Sequence, residues 1–174
     1  MLVEFTAYAG DCLVRGTLAV PDGERFTDFV NRQPEFTITN AELVSYADGH
    51  TVTLDEVSLV RDDLFAIDAR EPRGETARRI HTVPHRLEVR LGPYMVLGQL
   101  HTLPGGRPLV AIGQRSPMIP LTNATIAFND DSGVEAMDVE TLIINRSLAD
   151  WVRADADELP AFAGVPVAAP HGAI

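Results

Sequence analysis

The feature that most constrains this chain is that it says the same thing twice. The stretch "TITNAELVSY" at Thr37–Tyr46 returns as "PLTNATIAF" at Pro120–Phe128. Upstream, "VRGTLAVPDG" at 14–23 matches "VLGQLHTLPG" at 96–105 in a shared Val-x-Gly-x-Leu frame. Downstream, "VSLVRDDLFAI" at 57–67 matches "TLIINRSLADW" at 141–151, which sets Leu59, Val60, Leu64 and Ile67 over Ile143, Ile144, Leu148 and Trp151. Three blocks in one order indicate duplication. The fold is therefore expected to be built from two like units.

Each unit has the pattern of β-structure. "VEFTA" and "LEVRL" alternate apolar and polar residues, as half-buried strands do because successive side chains leave opposite faces of the pleat. Further strand-like runs follow: "LVRGTLAV", "FTITNAELVSY", "HTVTLDEVSLV" and "LFAI" in the first copy, "YMVLGQLHTL", "MIPLTNATIAF", "VEAMDVETLII" and "ADWV" in the second. Turn residues separate them, among them Pro21-Asp22-Gly23, Asp48-Gly49, Gly92-Pro93 and Pro104-Gly105-Gly106. Short strands at this spacing predict a small barrel or sandwich. Gly16 and Gly98 fall in the middle of their strands, where glycine normally weakens a sheet. They mark either a sharp bend that lets one strand serve both halves of a barrel or a bulge in an open sheet.

These residues resemble the two sequence motifs of Sm-like (LSm, Hfq) proteins. The first motif is carried by Val14, Gly16, Leu18, Thr39, Asn40 and Ala41, and again by Val96, Gly98, Leu100, Thr122, Asn123 and Ala124. The second is carried by Leu59, Val60, Arg61, Leu64 and Ile67, and again by Ile143, Ile144, Asn145, Leu148 and Trp151. The resemblance implies an all-β chain of two tandem, small, strongly bent five-stranded barrels of Sm-like or SH3-like type. The first would span 1–68 and the second 87–152, with an Arg-rich linker at 69–86 and a flexible Ala/Pro-rich tail at 153–174. Two departures from the family stand out. No helix precedes the first strand, and "PDGERFTDFVNRQPEF" replaces a tight turn after the second. Within it "RFTDFVNR" can form a short helix with Thr27 as cap and Phe26, Phe29 and Val30 on one face. The segment resembles that of uncharacterised bacterial Sm-like proteins.

No catalytic constellation emerges, and the chain is not expected to be an enzyme or to carry a cofactor. In "HTVPH" at 81–85, Pro84 prevents the helix that would bring both imidazoles to one face, and no ligand pair stands near. "DDSG" at 130–133 lacks the remaining ligands of an acidic metal loop, so no metal site is expected. "PGGRP" lacks the Lys-Ser/Thr end of a phosphate loop. Ser116 and Ser132 sit in no nucleophile elbow. The lone cysteine, Cys12, cannot form an internal disulfide and is read as a small core residue in a reduced, cytoplasmic setting.

Charge limits the partners. The formal net charge is -11, and all 14 basic residues are arginine. Residues 1–68 carry 4 Arg against 13 acidic residues, 69–86 carry 5 against 2, and 87–154 carry 5 against 7, so the middle segment is the one basic island. Such a balance repels phosphate backbones, disfavouring nucleic acid as a general partner while leaving local contact open. Arg61, Arg78, Arg79, Asn145 and Arg146 are the candidates for a polyanion contact. The linker arginines serve either as a solubilising tether or as a dock for an acidic partner. In the tail, Leu159, Phe162, Val165 and Val167 are the side chains able to engage a partner. No stretch reaches the roughly 18 apolar residues of a membrane helix, and no membrane association is expected. Two function classes follow. The first is a non-enzymatic assembly or scaffold subunit that self-associates or joins a protein complex; the second is a nucleic-acid- or polyanion-binding regulator of Sm-like type.

Overall fold

The computed structural model describes residues 1–69, 80–130 and 133–154. Its first half comprises β1 (Leu2–Tyr8), β2 (Cys12–Ala19), α1 (Phe26–Arg32), β3 (Glu35–Ser45), β4 (Thr51–Val60) and β5 (Ala66–Ala69). The second repeats that order with β6 (Val83–Leu91), β7 (Tyr94–Thr102), α2 (Pro108–Gln114), β8 (Met118–Asp130), β9 (Gly133–Asn145) and β10 (Trp151–Ala154). A 3-10 turn, at Arg61–Asp63 and again at Arg146–Leu148, precedes each short last strand. The class is all-β, and the strand-like runs of the sequence land in strands, the two short ones, "LFAI" and "ADWV", through their last two residues only. β6 opens at Val83, inside the stretch read as linker.

Hydrogen bonding does not stop at the repeat boundary. All ten strands form one open antiparallel sheet in the order β10-β6-β7-β8-β9-β5-β1-β2-β3-β4. The expected pair of separate barrels thus appears as a single continuous sheet, because β5 of the first half lies along β9 of the second. Within each half the spatial order of strands is the same, with the last strand outside the first and the fourth strand at the far edge. Apolar side chains collect in two clusters, one per half, and each borrows from the other. Met118 and Ile143 complete the cluster around Phe5, Phe26 and Ile38; Tyr8, Leu13 and Ala66 enter the one around Leu87, Tyr94 and Leu121.

The duplicated Gly and Asn have one shared task. A Cβ on Gly16 would come within 2.9 Å of the Thr39 carbonyl, and one on Gly98 within 2.9 Å of Leu121 Cβ. Both distances are closer than real Cβ atoms approach, so only glycine lets β2 and β7 cross their neighbours there. The pairing register slips at the same two places, between Arg15 and Thr17 and between Leu97 and Gln99. Opposite each slip stands an asparagine in the left-handed region, Asn40 at φ 52° and Asn123 at φ 47°; no other non-glycine residue among those described has positive φ. Asparagine tolerates that conformation because its short amide can bond locally. The TNA match is therefore a backbone device: a glycine lets the strands approach, and an asparagine turns the facing strand.

The strand pairing also corrects the alignment of the later blocks. Asn40 and Asn123 differ by 83 in number. Ala41 pairs with Leu54 and Ala124 with Val139, which puts the fourth strands 85 apart. The second hairpin is two residues longer, and the sequence comparison absorbed only one of them. Arg61 therefore matches Arg146, and Ile67 matches Val152 rather than Trp151. In α1, Phe26, Phe29 and Val30 are buried as their spacing predicts, but the cap is Arg25 with no side-chain bond rather than Thr27. The apolar counterpart segment also folds as a helix, α2, with Pro108 at its start, where a missing N–H costs nothing.

Gly98→Ala is expected to lower the unfolding free energy by about 1–3 kcal/mol through overpacking. Asn123→Gly, which keeps the left-handed turn, should stay close to wild type. Urea unfolding of the two variants checks this, and equal losses would mean that the crossing is not what these residues supply.

Candidate functional site

The joint between the halves is built from backbone. Ala66, Ile67 and Asp68 of β5 pair with Ile144, Ile143 and Leu142 of β9, and the Asn145 N–H extends the ladder by donating to the Phe65 carbonyl at 2.8 Å. One side chain locks it. Asn31, at the end of α1, donates from Nδ2 to the Met118 carbonyl at 2.8 Å and accepts from the Met118 N–H through Oδ1 at 3.0 Å. Its amide thereby imitates a peptide group and pairs with the first residue of β8 as a neighbouring strand would. Arg61 secures Asn31 in turn, donating from Nη1 to its carbonyl at 2.9 Å. The equivalent sixth position of α2 is Gly113, which has no side chain to do the same.

Beside this joint the hairpin ends of the two halves enclose a cleft of about 670 Å³. Tyr94 of the second half is fully buried among rings from both halves. Its centroid lies 5.7 Å from Tyr8, 6.3 Å from Tyr46, 5.7 Å from Phe65 and 5.6 Å from Phe128. Tyr46 and Phe128 stack at 4.3 Å across the repeat boundary, and both are half-buried. The hydroxyls are satisfied within the protein: Tyr94 donates to the Ala9 carbonyl, Tyr46 and Tyr94 share a bond at 2.9 Å, and Tyr8 donates to Met137 Sδ at 3.6 Å. Burial pushes all three phenols above the ordinary tyrosine range, with the Asp68 charge adding to it at Tyr8. They remain neutral through the physiological range.

The rim of the cleft carries Arg15, Asp48 and Glu135. Arg15 faces Glu42 at 3.7 Å in an ion pair about half exposed to solvent. Asp48 accepts from the His50 N–H at 3.0 Å, and that bond, with a further one to Ser45, holds its carboxyl below the usual range. Glu135 has no ion-pair partner among the described residues. Cys12 lies opposite Ser45 at the same end of the sheet. Burial, reinforced by a bond to Asp11, pushes its thiol up to about 11.

The residues singled out from sequence fall in several places. Arg61 and Arg146 do equivalent work: each opens a 3-10 turn and reaches back to the end of its half's helix. The Arg61 N–H donates to the Pro34 carbonyl and the Arg146 N–H to the Pro117 carbonyl, both at 2.9 Å, while Arg146 Nε donates to the Arg115 carbonyl at 2.9 Å. Asn145 is 1% exposed; its Oδ1 accepts from the Ser147 N–H, and its Nδ2 has no hydrogen-bond partner among the described residues. Arg78, Arg79, Leu159, Phe162, Val165 and Val167 lie outside the described residues. The sequence reading missed the ring cluster and the use made of Asn31. Only the closing "VN" of the "RFTDFVN" segment hinted at the latter.

The outer edges complete the picture. On β4, Val52, Leu54 and Val60 are 43%, 39% and 46% exposed, whereas Val139 and Asn145, which match Leu54 and Val60 on β9, are buried at 7% and 1%. At the other edge Trp151 is 42% exposed, and its counterpart Ala66 is fully buried. The same positions are thus covered at the inner joint and bare at the two ends of the sheet. Among the described residues no helix is long and apolar enough to cross a membrane, and no three His, Cys, Asp or Glu side chains stand close enough to share a metal. Compared with protein families, curated proteins and solved structures, the chain matches none.

Two outcomes are expected. Asn31→Leu leaves both Met118 backbone groups without their partner and should cost about 1–3 kcal/mol, with faster hydrogen exchange at the Met118 amide. For Cys12, a raised thiol pKa means that the native protein holds its proton through neutral pH. Alkylation by iodoacetamide at pH 8 should then be slow in the native protein, quicken as pH rises toward 11, and be fast at pH 8 only after unfolding.

Proposed function

We propose that this chain is a non-enzymatic assembly subunit, a tandem pair of Sm-like bent barrels that associates head to tail with further copies of itself through β4 and β10. The resemblance to Sm-like proteins rests on the motif residues. It is supported by the recurring Gly/Asn crossing, the repeated strand order and the presence of an apolar cluster in each half. The observation that carries the assembly reading is the inner joint. It mates a fifth strand with a fourth strand, and it leaves one of each, unpaired among the described residues, at opposite ends of the sheet.

Such edges invite pairing because their N–H and C=O groups lack partners in the sheet. Here they also bear the apolar side chains that the inner joint buries. The inner register predicts the outer one. Trp151 stands where Ala66 does and Leu59 where Ile144 does, so Trp151 meets Leu59, Val152 meets Ser58 and Arg153 meets Val57. A heterologous contact of this kind closes into a ring if the rotation permits and otherwise grows as a filament.

The test is cross-linking in a Cys12→Ser background. Val57→Cys with Arg153→Cys should give an intermolecular disulfide ladder on oxidation, since directly opposed strand residues fall within disulfide range. Light scattering of the unmodified chain should give multiples of 18.9 kDa, falling toward the monomer in Trp151→Asp. A monomer at all concentrations, together with no ladder, would overturn the reading.

A further inference from the structure

The repeat explains Gly16, Asn40 and Arg61, because each recurs in the second half with the same task. It does not explain the rings of the cleft. Phe5 and Leu87 occupy equivalent positions opposite Gly16 and Gly98, so Tyr8 corresponds to Arg90 in the second half. With Asn40 over Asn123, Tyr46 corresponds to Asn129 and Phe128 to Ser45. None of these positions keeps its character between the copies. The aromatic set is peculiar to the one place where the halves meet.

Three features define what such a place can hold. The volume, about 670 Å³, lies within the 300–1,000 Å³ typical of small-molecule sites. The walls are rings and aliphatic side chains whose polar atoms are already bonded to the protein, so the cleft offers π faces rather than hydrogen-bond donors. The rim places Glu135 and Asp48 against a single cation, Arg15, that Glu42 already neutralises. An anionic guest would lose against this surplus of carboxylate and against the overall charge of -11. A cation gains twice, from the carboxylates and from the negative outer face of the stacked, half-buried Tyr46–Phe128 pair.

We infer that the cleft between the two halves is a binding site for a small organic cation with an apolar or aromatic body, held against the outer face of the stacked Tyr46–Phe128 pair and by the Glu135 carboxylate. The site lies at the inner joint and is complete within one chain. Its occupancy is therefore independent of whether chains assemble.

The test uses the full chain and benzyltrimethylammonium as probe, with phenylacetate as its anionic counterpart and benzyl alcohol as the neutral one, followed by NMR titration of the aromatic resonances. The cation is expected to shift the Tyr46 and Phe128 ring signals saturably at millimolar concentration, and the other two are expected to bind at least about fivefold more weakly. Glu135→Gln, an exposed substitution that spares the core, should weaken the cation about threefold to tenfold and leave benzyl alcohol unchanged. Phe128→Leu keeps the wall apolar and should weaken the cation preferentially. No saturable shift, equal binding of phenylacetate, or cation affinity indifferent to both substitutions in folded protein would overturn the assignment.

Discussion

Three residue pairs between β5 and β9 turn two like units into one object. Without that ladder each half would end in bare strands on both sides, and Tyr94 would lack the rings of Tyr8, Tyr46 and Phe65. The ladder is short, and main-chain bonds contribute only about 1 kcal/mol each net of water. Its persistence therefore depends on what surrounds it: Ala66, Ile67 and Ile144 fully buried, Met118 and Ile143 lent to the first apolar cluster, and Asn31 clasped to the Met118 backbone. Removing Asn31 would leave two backbone groups stranded, a heavier loss than the hydrogen bonds alone.

Inside each half the governing condition is how closely two strands can cross. At Gly16 and Gly98 the facing atoms leave no room for a Cβ, and at Asn40 and Asn123 the facing chain turns through the left-handed region. Glycine gives up backbone entropy to sit in a strand, and a left-handed residue is strained by roughly 1–2 kcal/mol. Both costs are met twice in one chain. They are offset by the apolar clusters that the bend closes over, where each large side chain taken from water contributes about 1.5–3 kcal/mol.

This division explains what could be seen in the sequence. Strand periodicity, turn residues and the Gly/Asn pair are local, and they gave the all-β class, the strand runs and the helix buried through Phe26, Phe29 and Val30. Register across a hairpin is not local. The second of the two extra residues between Asn123 and Val139 hid inside apolar positions that match equally well one step either way, so Arg61 was set against Asn145 instead of Arg146. The joint and the cleft were invisible for a stronger reason. Tyr8, Tyr46, Tyr94 and Phe128 come from four hairpin ends, and no pattern along the chain says that β5 will choose β9 over any other edge.

The difference between Asn31 and Gly113 sets an arithmetic for any array of these chains. Inner joints carry a clasp and a covalent connection; outer joints would have the ladder and apolar cover alone. Bonds of two strengths would then alternate along the array. Exchange would always sever the outer kind, releasing whole chains and never single units, and every closed ring would contain an even number of repeats.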